Sequence, residues 1–236
     1  MCTVTVIPMG ANDFVLTTNR DEAPNRPTLK PAFYTLNHTK LWFPKDELSG
    51  GTWIGVSDKK RVVCLLNGGF VGHERKSNYR LSRGVVVKDI LISKNVIETV
   101  LNYNFLGIEP FTVILLDWSM GLKLYELVWD GLNTHFKPLD FEPKIWSSSS
   151  LYSKTMKSER EQWFEAYKKD TDLNPESLLR FHKTAGQNNG QFGVIMDRGH
   201  VKTTSITQVA KSGINLNLHH INLLDRTEIA QVFVMP

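Results

Sequence analysis

Residue 2 is a cysteine, within Met1-Cys2-Thr3-Val4-Thr5-Val6-Ile7. Removal of the first methionine would therefore expose a thiol and a free α-amine on the same residue. The two groups make a nucleophile and base pair. An α-amine titrates near ~7.7–8.0 and a cysteine thiol near ~8.5, so the amine can take the thiol proton, directly or through one water, close to neutral pH. Cys2 is a candidate N-terminal nucleophile. Taken alone, the plainer reading of the same residue is a small apolar side chain that opens a β-strand.

The rest of the first quarter of the chain favours the chemical reading. It carries Asn19-Arg20-Asp21-Glu22, then Arg26-Pro27, then Gly50-Gly51-Thr52-Trp53-Ile54-Gly55-Val56-Ser57, then Leu65-Leu66-Asn67-Gly68, and Arg83-Gly84. In order and spacing these strings resemble the NRDE family, also called the transport and Golgi organisation protein 2 family. Its members are similar to N-terminal-nucleophile (Ntn) hydrolases such as penicillin V acylases and bile salt hydrolases. The resemblance is dense over residues 1–95 and thin beyond.

The resemblance implies a division of labour. Cys2 attacks a carbonyl with its own amine as base, Asp21 accepts a hydrogen bond from that amine, and Arg20 lowers the thiol pKa by its positive field. Asn67 donates to the oxyanion, a contribution worth ~2.7–4 kcal/mol per donor in acyl-transfer enzymes. Asn19, Trp53 and Ser149 are assigned to substrate contact. Each residue also has a plainer use: Asn67 as a turn asparagine before Gly68-Gly69, Arg20 and Asp21 as a surface ion cluster, Trp53 and Trp42 as core rather than cleft lining. The chain departs from the family near residue 149. Relatives carry a Ser-Asn pair there as a second oxyanion donor, whereas this chain has Ser148-Ser149, and a hydroxyl is a shorter donor than an amide.

Strands must position these groups. Thr3–Pro8 and Phe14–Thr18 are β-rich runs across the turn Gly10-Ala11-Asn12-Asp13, and Phe33–Leu36, Leu41–Phe43, Trp53–Ser57 and Val62–Leu66 continue the pattern. Neighbours on a strand leave opposite faces, so Arg20 and Asp21 face Cys2 together only if the chain bends or bulges there. From Ser82, an N-cap, the period becomes helical, and Val96–Leu101 adds a short helix. Phe111–Trp118 reads as a strand covered on both faces, paired with Leu122–Trp129 across Ser119-Met120-Gly121. Lys154–Lys169 and Pro175–Thr184 read as helices. Phe192–Asp197, Val201–Val209, Asn215–Leu223 and Ile229–Val234 complete the strands. This order predicts an α+β chain with two antiparallel sheets. The family implies the four-layer αββα sandwich of Ntn hydrolases.

Composition sets the outer limits. With 236 residues, 41% hydrophobic and 22% charged, one globular domain over residues 1–236 is expected. The net charge of +4 is scattered, and no basic stripe or motif marks a nucleic-acid partner. No signal-peptide pattern or apolar run of ~18 residues is visible. Two cysteines, Cys2 and Cys64, imply no disulfide framework, so a cytoplasmic location is expected. No cofactor is implied. His219 and His220 point opposite ways on a strand and do not chelate one metal together. Cys64 reads as an inert core thiol. The partner is thus a small acyl or apolar ligand, which the chain either cleaves, as an amidohydrolase or acyltransferase on an amide or thioester, or carries, as a chaperone of haem or fatty acyl groups. Removal of Met1 discriminates, because a retained Met1 turns the Cys2 amine into an amide.

Overall fold

A computed structural model describes residues 3–235. The chain forms two compact units, one of residues 1–25 with 141–236 and the other of residues 26–140.

In the first unit, β1 (Thr3–Pro8) and β2 (Phe14–Glu22) pair in register Thr3↔Asn19 to Pro8↔Phe14. They join β10 (Lys144–Ser147), β11 (Lys202–Ser212), β12 (Asn215–Asn222) and β13 (Glu228–Val234) in an antiparallel sheet of order β10-β1-β2-β11-β12-β13. Helices α3 (Lys154–Asp170) and α4 (Pro175–Thr184) belong to this unit. Helix α4 starts where its sequence says it should. Asn174 Oδ1 accepts from Ser177 N at 2.9 Å and Ser177 Oγ accepts from Asn174 N at 3.0 Å, with Pro175 in the first turn, so a capping box meets the orphan amides. Its apolar face places Leu178 and Phe181 with Ile7, Val15, Phe164, Val194 and Ala210 in one cluster. Burying each large member stabilises by about 1.5–3 kcal/mol, which is why residues of alternate parity on β1 and β2 (Ile7, Val15) face the helices.

The second unit holds β3 (Thr28–Leu36), β4 (Thr39–Asp46), β5 (Ile54–Ser57), β6 (Arg61–Asn67), β7 (Phe111–Asp117), β8 (Lys123–Trp129) and β9 (Thr134–Leu139) in that order in one antiparallel sheet, with α1 (Arg83–Ile92) and α2 (Val96–Asn102). Strand β7 is buried along its whole length, as its unbroken apolar run predicts. Ser82 caps α1 by accepting from Gly84 N. Two of the glycine-bearing strings meet at this cap. A Cβ on Gly51 would lie 2.6 Å from Gly84 C, one on Gly84 2.8 Å from Thr52 N, and Thr52 N donates to Gly84 O at 3.2 Å. Only glycine allows that backbone approach. Arg26 forks onto Asp46, Nε 2.5 Å from Oδ2 and Nη2 3.1 Å from Oδ1, so this string too is structural.

Several expectations need correction. Phe192–Asp197 is a folded loop, not a strand. Three of its carbonyls go to side chains: Phe192 O and Gly193 O accept from Arg160, and Val194 O accepts from Asn19, so buried donors take the place of a ladder over its first half, and only Asp197 makes an isolated bridge, to Lys202. Strand β2 runs on through Glu22 beyond Thr18, and β3 begins at Thr28, with a register shift around Lys30-Pro31 that suits proline's missing donor on an edge strand. Strands β9 and β10 were not anticipated. The first is largely exposed and contains Pro138, and the second has four half-buried residues, so neither shows alternation. No helix among the described residues is long and apolar enough to cross a membrane.

Candidate functional site

Cys2 lies outside the described residues. The next residue, Thr3, begins the β1/β2 ladder opposite Asn19, so the strand that follows Cys2 runs beside the Asn19-Arg20-Asp21-Glu22 string.

Strand β2 alternates through that string. Asn19 and Asp21 leave the face that carries α3 and α4, and Arg20 leaves the other. Asp21, 2% exposed, receives two short hydrogen bonds, from Tyr152 Oη to Oδ2 and from Thr203 Oγ1 to Oδ1, each 2.6 Å. Arg20 Nη1 lies 3.5 Å from Thr204 Oγ1, and its Nη2 lies 4.0 Å from Glu22 Oε2. Strand β2 does not bring Arg20 and Asp21 to one face, and the irregularity lies on the partner strand. Opposite Arg20 and Asp21 the register jumps from Thr203 to Ser205, and the extra residue, Thr204, returns a hydroxyl bond to Arg20 O at 3.1 Å. The bulge lets β11 follow β2 without turning Arg20 and Asp21 to one face. On the Arg20 face, His220 bonds Thr207 through Nδ1, and burial, then His219 and Arg20, push its pKa down to about 4.

Asn19, assigned to substrate contact by the resemblance, is fully engaged inside the unit. Its Nδ2 donates to His182 O at 3.0 Å and Val194 O at 2.6 Å, which leaves Oδ1 to accept from His182 Nδ1. With the proton on Nδ1, His182 Nε2 accepts from Thr5 Oγ1 at 2.7 Å. This fixes one neutral tautomer. Burial, and secondarily Arg160, lower the His182 pKa from 6.5 to about 3. The unfolded chain therefore binds more protons between those values. The stability this histidine contributes is complete above pH 6.5 and is lost as the pH falls toward 3, by up to about 1.4 kcal/mol per unit. Urea midpoints from pH 7 to 4 should fall more steeply for the wild type than for His182→Gln, which cannot ionise. Parallel slopes would refute the assignment.

Three of the site's supports had no sequence signal. Tyr152 follows a serine run, Thr203 sits among many threonines, and Arg160 lies in a charged helix. Yet Arg160 is fully buried. It donates to Phe192 O at 2.9 Å, Gly193 O at 2.7 Å and Thr3 Oγ1 at 2.6 Å, and its Cζ stacks 3.6 Å above the Tyr152 ring. Ser149 Oγ accepts from Lys157 Nζ at 2.5 Å, and burial lowers the Lys157 pKa. Neighbouring Ser148 is buried, with its Oγ 3.0 Å from Ser150 Oγ.

In the second unit, Asn67 is the last residue of β6, opposite Phe111, partly exposed, and followed by Gly68 at φ +87°. Gly68 is pinned by its N–H on Pro110 O and by Thr112 Oγ1 on its carbonyl. Trp53 and Trp42 are both buried, which accords with packing. His219 and His220 take separate partners, Glu228 and Thr207. No group of three metal-ligating side chains is gathered among the described residues.

Comparison with known proteins places this arrangement. A conjugated bile acid hydrolase variant from Clostridium perfringens is similar with a TM-score of 0.61 at 8% identity, over 98% of this chain and 92% of that one. An N-acylethanolamine-hydrolyzing acid amidase ortholog from Caenorhabditis elegans gives 0.61 at 13% identity over 100% of both chains. A C2A mutant of the Clostridium perfringens hydrolase gives 0.55 at 9%, over 99% and 97%. At such identities the likeness establishes the fold, the Ntn-hydrolase-like α+β fold of two antiparallel sheets and four helices. No curated protein sequence matches the chain. The family described as Transport and Golgi organisation 2 matches residues 1–210, across both units, and this chain belongs to it.

Proposed function

We propose that the protein is an N-terminal-nucleophile cysteine amidohydrolase or acyltransferase acting on a small acyl amide or thioester. One observation carries this reading: a buried, doubly hydrogen-bonded Asp21 and a neighbouring Arg20 on opposite faces of the strand that pairs with the chain's first strand. Two atoms of Cys2 need different help, and the reading gives Arg20 the thiol and Asp21 the amine. The fold likeness to a conjugated bile acid hydrolase and an N-acylethanolamine-hydrolyzing acid amidase supports it, as does the family match.

In this reading the amine takes the thiol proton and the sulfur attacks the acyl carbon. The charge on the carbonyl oxygen goes to a hydrogen-bond donor, the role that the resemblance gives to Asn67. The amine returns its proton to the leaving group as the C–N or C–S bond breaks, giving a thioester on Cys2. Water or a second amine then attacks that thioester, restoring the thiol. Asn19 holds β2 rather than the substrate.

The test begins with the intact mass of protein from its native host, which should lack Met1. In the Met1-free protein, iodoacetamide near pH 7 should modify Cys2 at least roughly ten times faster than Cys64, since thiolate fraction and access set the rate and Cys64 is fully buried in β6. Equally slow labelling of both thiols in folded protein would defeat the reading.

A further inference from the structure

Asp21 is the carboxylate that the proposed function uses to hold the Cys2 amine, and a buried chain of contacts controls it. Tyr152 donates its phenol proton to Asp21 Oδ2 at 2.6 Å. The guanidinium of Arg160 lies on the ring of that tyrosine at 3.6 Å, with Arg198 at 5.3 Å. A cation over the ring polarises it, so the O–H becomes a stronger donor to an anion. Arg160 also donates to Thr3 Oγ1 at 2.6 Å, and Thr3 is the residue after Cys2. One buried cation thus fixes both the strand that follows the nucleophile and, through an aromatic ring, the carboxylate. A phenol needing only a buried acceptor could take a backbone carbonyl, as Tyr167 does with Ser177 O at 2.7 Å.

We propose that Tyr152, clamped by Arg160, is a positioning residue that sets the orientation of Asp21 and, through it, the reactivity of Cys2. The proposal rests on the nucleophile reading above. Thr203, donating to Oδ1 at 2.6 Å, is the second half of the same clamp. With both oxygens engaged the carboxylate cannot rotate, and its remaining lone pairs point in fixed directions.

The test uses the full chain freed of Met1 and follows alkylation of Cys2 by iodoacetamide from pH 5.5 to 9. Tyr152→Phe keeps the ring for Arg160 and deletes the donor. It should raise the midpoint of the pH–rate profile by about half a unit or more and slow labelling at pH 7 roughly three-fold or more, as expected when the amine is held less well near the thiol. Thr203→Val should shift the profile in the same direction. On an Asp21→Asn background, Tyr152→Phe should add nothing, because a residue acting only through its partner is non-additive with it. Tyr167→Phe should leave the profile in place. An unchanged profile in folded Tyr152→Phe protein, or the same shift with and without Asp21, overturns the inference alone. Wild-type Cys2 reacting no faster than in the urea-unfolded chain overturns the nucleophile reading, and the inference with it.

Discussion

Cys2→Ala should reduce turnover of every acyl-amide or thioester substrate to background, a loss on the order of 10⁴-fold or more, while the protein stays folded and still binds ligand. The asymmetry follows from what each process needs. Deleting one sulfur atom costs folding at most about 1 kcal/mol, whereas the reaction loses the atom that forms the covalent intermediate. The measurement compares wild type and Cys2→Ala, both freed of Met1, in an acyl-amide hydrolysis panel and a binding titration with haem and an acyl thioester. A carrier would give a different result. It would keep its full function in Cys2→Ala. Binding without any Cys2-dependent turnover would replace the hydrolase by the carrier.

The candidate site residues of the first quarter of the chain are more legible in the sequence than the side chains that hold them. Strand pairing across Gly10-Ala11-Asn12-Asp13, the caps at Ser82 and Asn174, and the buried run of β7 are local patterns, and each appears as its spacing predicts. Strands β9 and β10 were missed because edge strands need no alternation. The strand expected at Phe192–Asp197 fails for a non-local reason: Arg160 and Asn19, 32 and more residues distant, take its carbonyls. Asp21 was found by a string of four residues, but Tyr152 lies 131 positions away and Thr203 182. No periodicity links residues so far apart. Likewise, Gly51 and Gly84 stand in separate strings of the sequence and meet as a backbone contact in the fold.

Arg61 marks the largest stability effect to be expected in the second unit. Lys59 and Lys60 lie in the turn between β5 and β6, whereas Arg61 does not. Arg61 opens β6 nearly buried, with its side chain 3% exposed. Its Nη1 donates to Ile90 O at 3.1 Å, Ser93 O at 2.9 Å and Ser93 Oγ at 2.7 Å, and so satisfies carbonyls at the C-terminal end of α1, where the helix dipole favours a cation. Its Nε lies 3.2 Å from Oδ2 of Asp117, its cross-strand partner on β7. Burial lowers the Arg61 pKa and the charge of Asp117 opposes that shift. Arg61→Leu would strand a buried carboxylate and open the helix end together, a loss of about 3–5 kcal/mol. That is a large part of the ~5–15 kcal/mol that holds a domain folded, and should lower the unfolding midpoint by roughly 10 °C. Adding Asp117→Asn should restore part of the loss. It removes the stranded charge while its amide oxygen still accepts from Ser119 N, which lies 2.9 Å from Asp117 Oδ1. Thermal and urea unfolding of both variants checks this. A cost below about 1 kcal/mol for Arg61→Leu, the range of an exposed ion pair, would mean that the pair is solvated and that α1 is held by packing alone.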